Sequence, residues 1–386
     1  MSDFRLRAPM RILLVTTGLR MGGAEQQVAA LAREFIARGH QVALISLTPD
    51  CEVPISDEVE RVMLDMRKNP LSMAHALRTT RRFLQRWRPD IIHSHMFHAN
   101  LFARVLTRIA RTPPLICAAH SYSEGGSLRM LAYRLTDRWC TLTTHVSEGS
   151  RAHMVEIGAV GADRIVVVHN GIDTEQFQPD PALRERTRAL LGVDAGTRLI
   201  LNIGRLVPEK AQSVLIDAYH RMERKQPTTL LIAGDGPERP PLQAQIARLQ
   251  LGQSVRLLGT RNDIPALLNA ADLFVLSSRV EGMPLVVGEA LACGRPVVST
   301  AASGVAELLG DAGSIVPIDD VDSLALSMQA TLSAGPGTRD EEFARRRRIA
   351  SSYSLSAAAE HCLSLYQRLC GTASANQAHS DPCGDV

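Results

Sequence analysis

The 386-residue chain is longer than one hydrophobic core usually organises, and its 45% hydrophobic and 22% charged residues exclude the disordered and fibrous classes and point to two folded domains. No apolar run approaches the roughly 20 residues of a membrane-spanning helix, the first residues lack the apolar core of a secretory signal, and seven scattered cysteines with no CxxC pair argue for reduced thiols rather than a zinc site. The net charge of +3 is uneven, with 22 basic and 17 acidic side chains in residues 1–178 against 21 and 23 beyond, while the 4% aromatic content shows no interleaving of the kind that binds nucleic acid.

From the N-terminus onward, short apolar runs alternate with segments of helical period, the pattern of parallel strands covered by helices. Residues 11–17 read as the first strand and 24–38 as a helix, joined through Gly18-Leu19-Arg20-Met21-Gly22-Gly23-Ala24-Glu25. Paired glycines let a ligand approach the amides of a helix N-terminus. The spacing fits neither a dinucleotide fingerprint nor a P-loop, and a plain tight turn is the alternative. Strands follow at 41–47 and 90–94, with a helix over 72–87 between them. His93, His95 and His98 come next; an early helix start would put His95 and His98 on one side, but no carboxylate or cysteine accompanies them with ligand spacing. Strands at 115–119, 142–146 and 165–169 complete the first series. His120, directly after the first of these, is placed to bond a hydroxyl or move a proton, with a structural imidazole as the alternative.

After Asn170-Gly171 and a polar, proline-containing stretch a second series begins, with strands expected at 199–204, 229–234, 255–258, 273–277, 296–299 and 314–316. Two doubly wound units with a boundary near 175–197 are implied, and ligands of such units bind beyond the carboxyl ends of the strands, in a cleft. Gly204-Arg205-Leu206-Val207-Pro208-Glu209-Lys210 follows the first strand of this half. A guanidinium fork, an ammonium and a helix start together suit a diphosphate, and Lys210 is one of only three lysines against 40 arginines. Glu281-Gly282-Met283-Pro284-Leu285-Val286-Val287-Gly288-Glu289 places one carboxylate in a loop and the other about one turn inside a helix starting near Pro284 or Leu285. Such carboxylates accept bonds from paired hydroxyls, and the intervening amides suit a phosphate. Asp320-Val321-Asp322 matches a metal-binding DxD but opens a late helix, where capping explains it.

These residues resemble the large Glu-x7-Glu family of retaining glycosyltransferases with the GT-B fold, glycosyltransferase family 4 or group 1, which includes sucrose synthases and many bacterial polysaccharide and lipopolysaccharide transferases. The resemblance rests on Gly22-Gly23-Ala24-Glu25, His120, Val146-Ser147-Glu148, Asn170-Gly171-Ile172-Asp173, Gly204-Arg205 with Lys210, Gly234-Asp235-Gly236-Pro237 and the Glu281/Glu289 pair. It implies two Rossmann-like α/β domains facing a cleft: 1–178 for the acceptor, 179–352 for the nucleotide sugar, then a helix over 353–371 returning to the first domain and a polar tail over 372–386. By the same resemblance Arg205 and Lys210 hold the diphosphate and Glu289 the ribose. Glu281 and the amides of Gly282, Met283, Pro284, Leu285, Val286 and Val287 address the transferred sugar and the phosphate. Arg261 to Asp263 lie against the base, Gly22 and Gly23 contact the donor, and His120, Arg205, Lys210 and Glu281 serve catalysis. Ala211 stands where the family usually has glycine, and Ala301-Ala302-Ser303-Gly304 replaces a Thr-Asp-x-Gly-Gly-like run.

The reaction implied is front-face transfer of a hexose or N-acetylhexosamine from a nucleotide-diphosphate sugar to a lipid-linked or polysaccharide hydroxyl, with no cofactor and no metal. A nucleotide-sugar 2-epimerase of the same architecture and a non-catalytic nucleotide-sugar-binding protein are the alternatives. A cytoplasmic location is expected, peripheral to the inner face of the plasma membrane. For that surface the sequence offers Arg78, Arg81, Arg82 and Arg86 on one face of a helix, with Leu77, Phe83, Leu84 and Trp87 as apolar contacts; packing of those apolar residues into the core is the alternative. No nucleic-acid partner is expected.

Overall fold

The computed structural model describes residues 9–122, 125–335 and 337–378, with side chains up to residue 371. The chain divides into two units. The first runs to Gly171 and resumes at Leu355; the second is Ile172–Ser354. Residues 172–178, assigned by sequence to the first domain, are held in the second. Ile172 N–H donates to Tyr353 O, and Asn269 Nδ2 donates to Gln178 O.

The first unit carries seven strands: β1 (Arg11–Thr16), β2 (Gln41–Ser46), β3 (Glu60–Met63), β4 (Ile91–His95), β5 (Leu115–Ala119), β6 (Leu142–His145) and β7 (Ile165–Val167). They form one parallel sheet in the order β3-β2-β1-β4-β5-β6-β7. The second unit carries β8 (Arg198–Ile203), β9 (Thr228–Ala233), β10 (Val255–Gly259), β11 (Leu273–Leu276), β12 (Val297–Thr300) and β13 (Ser314–Val316), also parallel, in the order β10-β9-β8-β11-β12-β13. Strand order reverses between β1 and β4 and again between β8 and β11, so each unit has a switch point. Each unit is thus a Rossmann-like doubly wound domain.

Central strands such as β1 and β8 are buried on both faces and therefore read as apolar runs. β3 is absent from the sequence reading: it is a short edge strand, Glu-Arg-Val-Met, with only Val62 turned partly inward. Helices cover both faces of the first sheet. The Pro70–Trp87 helix starts where Asn69 Oδ1 accepts from Ser72 N–H, with Pro70 in its first turn, and it buries Ala76, Thr80, Phe83, Leu84 and Trp87. On the opposite face the last helix, Leu355–Ala378, packs Leu355, Ala359, Cys362, Leu363 and Tyr366 into a core shared with β1 and the Gly23–Ala37 helix. This helix extends beyond the expected end at 371 and takes in 372–378 of the expected polar tail; residues 379–386 lie outside the described residues. Among the described residues no helix is long and apolar enough to cross a membrane.

Candidate active site

The loops flanking the switch point of the second unit carry the charged residues singled out by sequence. β8 leads through Gly204 into Arg205, and a turn of 3-10 helix, Pro208–Lys210, precedes the Gln212–Arg221 helix. β11 leads through Ser277 and Ser278 to Glu281 and then to the Leu285–Ala292 helix. The structure joins the two loops. Lys210 Nζ donates to Glu281 Oε1 at 2.5 Å, a pair whose side chains are 23% and 10% exposed. Ser277 Oγ donates to Lys210 O at 2.9 Å, Arg279 N–H donates to Glu209 O at 2.8 Å, and an Arg279 guanidinium N–H donates to Pro208 O at 2.7 Å. Asp319 orients Arg279 through both carboxylate oxygens, at 2.8 and 2.9 Å from Nε.

Arg205 is exposed and makes no ion pair among the described residues. Gln212 Nε2 fixes its carbonyl at 3.0 Å. Two close backbone approaches seat this loop. A Cβ on Gly234 would stand 1.9 Å from Gly204 O, and one on Gly236 2.4 Å from Leu206 O, so the Gly-Asp-Gly segment after β9 lies directly on the Arg205 turn. Ala211 has φ 47 and ψ 40, the left-handed conformation that explains why glycine suits this position.

The Leu285–Ala292 helix begins after Pro284 with no side-chain cap, which leaves first-turn amides without a side-chain acceptor. Gly282 and Met283 are held from below, since a Cβ on Gly304 would stand 2.5 Å from Gly282 O. Glu289 is only 9% exposed, and burial pushes its carboxyl up to about 7. Met283, Pro284 and Val287 are buried, whereas Leu285 and Val286 are half-buried. Arg261 is turned onto Asp263, with contacts of 2.7 and 2.5 Å. This ion pair holds the Asp263 carboxyl below its usual range. Arg279, Ser277 and Gln212, which hold carbonyls of the lysine turn, were not singled out by sequence, because nothing in local spacing shows which carbonyl a side chain will meet.

In the first unit Gly22 is extended at φ −166 and the Gly23–Ala37 helix follows without a side-chain cap. Glu52 accepts from Met21 N–H at 2.9 Å, and Asp50 pairs with Arg20 at 3.0 Å. His93 and His95 lie two residues apart on one face of β4, ring centroids 4.1 Å apart. His95 Nδ1 is 3.1 Å from Nε2 of His120, and His93 Nδ1 is 2.6 Å from the Tyr366 hydroxyl. Burial lowers His93 to about 3 and His120 to about 4, so both are neutral near pH 7. His98 is not part of this group. β4 runs to His95, and His98 opens the Phe97–Ile109 helix, exposed, with its ring against Phe97. Among the described residues no three histidine, cysteine or carboxylate side chains are grouped to hold a metal. Asp320 caps the Val321–Ala334 helix through Ser323 N–H at 2.9 Å, and Asp322 pairs with Arg221 at 2.6 Å.

On the Pro70–Trp87 helix the structure takes the core-packing alternative for three of the four apolar residues, with Leu77 half-buried. Phe83, Leu84 and Trp87 are 5–7% exposed within the core, and Arg86 pairs with Glu60. Arg78, Arg81 and Arg82 remain exposed.

Comparison with known proteins matches residues 21–176 to the model of Glycosyltransferase Family 4 and residues 197–334 to that of Glycosyl transferases group 1. A glycogen synthase of Mycobacterium tuberculosis is 28% identical over 89% of this chain and 91% of its own. The Escherichia coli UDP-Gal:alpha-D-GlcNAc-diphosphoundecaprenol alpha-1,3-galactosyltransferase is 27% identical over 63% of this chain and 66% of its own. A solved glycosyltransferase of Rickettsia africae shares the fold at a TM-score of 0.82 and 19% identity, covering 94% of this chain and 99% of its own. With one family model in each unit, the protein is a GT-B glycosyltransferase belonging to family 4, group 1.

Proposed function

We propose that the protein is a retaining, metal-independent transferase that moves a hexosyl or N-acetylhexosaminyl group from a nucleotide-diphosphate sugar to a hydroxyl of a lipid-linked or polysaccharide acceptor. The observation that carries this reading lies at the switch point of the second unit. There an unpaired guanidinium, Arg205, and an ammonium, Lys210, share one end of the sheet with the uncapped Leu285–Ala292 helix. Arg205 and Lys210 hold the diphosphate; Lys210 donates one N–H to Glu281 and has two more to give. Glu289 accepts from vicinal ribose hydroxyls, Glu281 and the amides of Gly282 to Val287 address the transferred sugar and phosphate, and the Arg261–Asp263 turn supports the base. In the first unit, His120 is assigned to a sugar hydroxyl.

In the reaction the anomeric C–O bond to the diphosphate breaks and the acceptor oxygen bonds to the same face of that carbon. The acceptor proton passes to the departing diphosphate. Charge on the leaving group is met by fixed protein cations and a helix dipole, which is why no metal is needed. The galactosyltransferase relative, named for a UDP-sugar donor and a diphosphoundecaprenol acceptor, supports a lipid-linked substrate, and the glycogen synthase relative supports a polysaccharide.

The test is nucleoside-diphosphate release from a panel of UDP-, GDP- and ADP-sugars with lipid-linked and soluble acceptors, in excess EDTA, with the product's anomeric configuration read by NMR. Lys210→Ala and Arg205→Ala are each expected to lower turnover by about 10²–10³-fold while the protein stays folded. Wild-type turnover in either variant overturns the diphosphate assignment. Loss of activity in EDTA restored by Mg²⁺ overturns metal independence, and conversion of the donor with no acceptor present indicates an epimerase instead.

A further inference from the structure

Three large apolar side chains exposed in the first unit fall on one helix, Ser127–Thr136. Leu128, Leu131 and Leu135 are 81%, 48% and 69% exposed, and their three- and four-residue spacing puts them on one face. Met130 and Tyr133 turn the other way, into a core cluster with Phe97 and Met154, so the inner face already anchors the helix. Arg134 and Arg138 are both exposed and continue the outward face at the same spacings. No carboxylate occurs from residue 125 to 136, and the next one, Asp137, is turned onto Arg164 Nε at 2.8 Å. A groove of about 430 Å³ opens beside the helix, lined by Met130, Leu131, Arg134, His153 and Ile157.

Scattered exposed leucines are ordinary, but three on a ten-residue helix beside an apolar groove form a contiguous patch of the kind that marks an interaction surface. Its chemistry selects the partner. Leucines flanked by arginines, with no acid between them, match the boundary between acyl chains and anionic headgroups, where the apolar side chains insert and the guanidinium groups bind phosphate. We propose that the Ser127–Thr136 helix docks the first unit on an anionic phospholipid surface. The inference deepens the lipid-linked acceptor reading and rests on it for its purpose: docking brings the enzyme to a substrate confined to that surface.

The experiment uses the full chain with vesicles of phosphatidylglycerol mixed with phosphatidylcholine, and of phosphatidylcholine alone. Wild type is expected to co-sediment with the anionic vesicles only, and added salt is expected to weaken binding. Leu128→Gln with Leu135→Gln is expected to lower partitioning by about tenfold or more, because two buried apolar contacts are lost, with an unchanged melting temperature. Arg134→Glu with Arg138→Glu is expected to do the same. Leu128→Trp supplies a direct readout, since its fluorescence is to be quenched by brominated acyl chains. Wild-type co-sedimentation of the leucine variant, or no quenching of the new tryptophan on bound vesicles, overturns the proposal. So does a wild-type dimer that the leucine variant converts to monomer, which would assign the face to a second copy of the chain. Nucleoside-diphosphate binding by calorimetry on the same samples separates the two readings: its absence defeats the transferase reading, and vesicle binding is scored independently.

Discussion

At the scale of single residues, the Glu289 carboxyl, which we propose binds ribose, is 9% exposed. Raised by burial from 4.5 to about 7, it holds its proton more tightly folded than unfolded. The sign of the linkage follows: the stabilisation is fully present below pH 4.5 and is lost as the pH climbs through about 7, amounting to at most roughly 3 kcal/mol. Glu289→Gln is expected to remove that slope and to melt higher than wild type at pH 8. Thermal midpoints taken from pH 4 to 8 check this, and parallel slopes in the two proteins would defeat it. Ribose hydroxyls favour the ionised form, so nucleotide affinity is expected to rise across the same window in wild type and to stay flat in the variant. Glu281, held on Lys210, is proposed to address the transferred sugar. Glu281→Gln is expected to slow transfer by about 10²-fold with little change in nucleotide affinity, whereas Glu289→Gln weakens affinity first; the split between the two is read from kcat and a separately measured Kd.

At the scale of elements, the loops are shaped by how closely backbones meet. Gly234 has φ 139, and a Cβ there would lie 1.9 Å from Gly204 O, which no side-chain movement can relieve. Gly234→Ala is therefore expected to cost about 3 kcal/mol and to displace the Arg205 turn, lowering nucleotide affinity more than tenfold. Gly252→Ala, with nothing within 4 Å of its Cβ, serves as the control and should change stability by less than about 0.5 kcal/mol. Equal melting temperatures for these two variants would refute the account. The same distinction explains what the sequence disclosed. Strands such as β9, Thr228–Ala233, show as apolar runs because both faces are buried, and the Glu281/Glu289 spacing shows because its chemistry is local to one loop and helix. The Ser277 bond to Lys210 O spans 67 residues and leaves no local trace. Nor does sequence separate an apolar side chain facing solvent from one facing the core: Phe83 and Trp87 suit either place and are buried, while Leu128 and Leu135 are exposed.

At the scale of the whole molecule, the chain crosses between its units twice, at 171/172 and at 354/355, so the first unit is completed by a segment that follows the second unit in sequence. The returning helix supplies Leu355, Ala359, Cys362, Leu363 and Tyr366 to the core beneath β1. Tyr366 meets Phe35 edge-on at 5.8 Å and bonds His93 at 2.6 Å, so the histidine cluster also depends on it. Truncation after Ser354 removes all five side chains, and the loss of each large one, Leu355, Leu363 and Tyr366, costs about 2–5 kcal/mol, a loss comparable with the whole 5–15 kcal/mol margin of an ordinary domain. The first unit is therefore expected to unfold in the truncated chain, whereas the second, whose sheet and proposed donor loops lie wholly within 172–354, should remain folded. Calorimetry distinguishes the outcomes. The full chain should show transitions for both units, and the truncated chain only the one belonging to the second unit. A nucleoside diphosphate at one hundred times its Kd should raise that transition in both proteins by the equivalent of about 2.7 kcal/mol. If the truncated chain keeps the first-unit transition, the returning helix is dispensable to that core; if the nucleotide raises the first-unit transition instead, the donor assignment to the second unit fails.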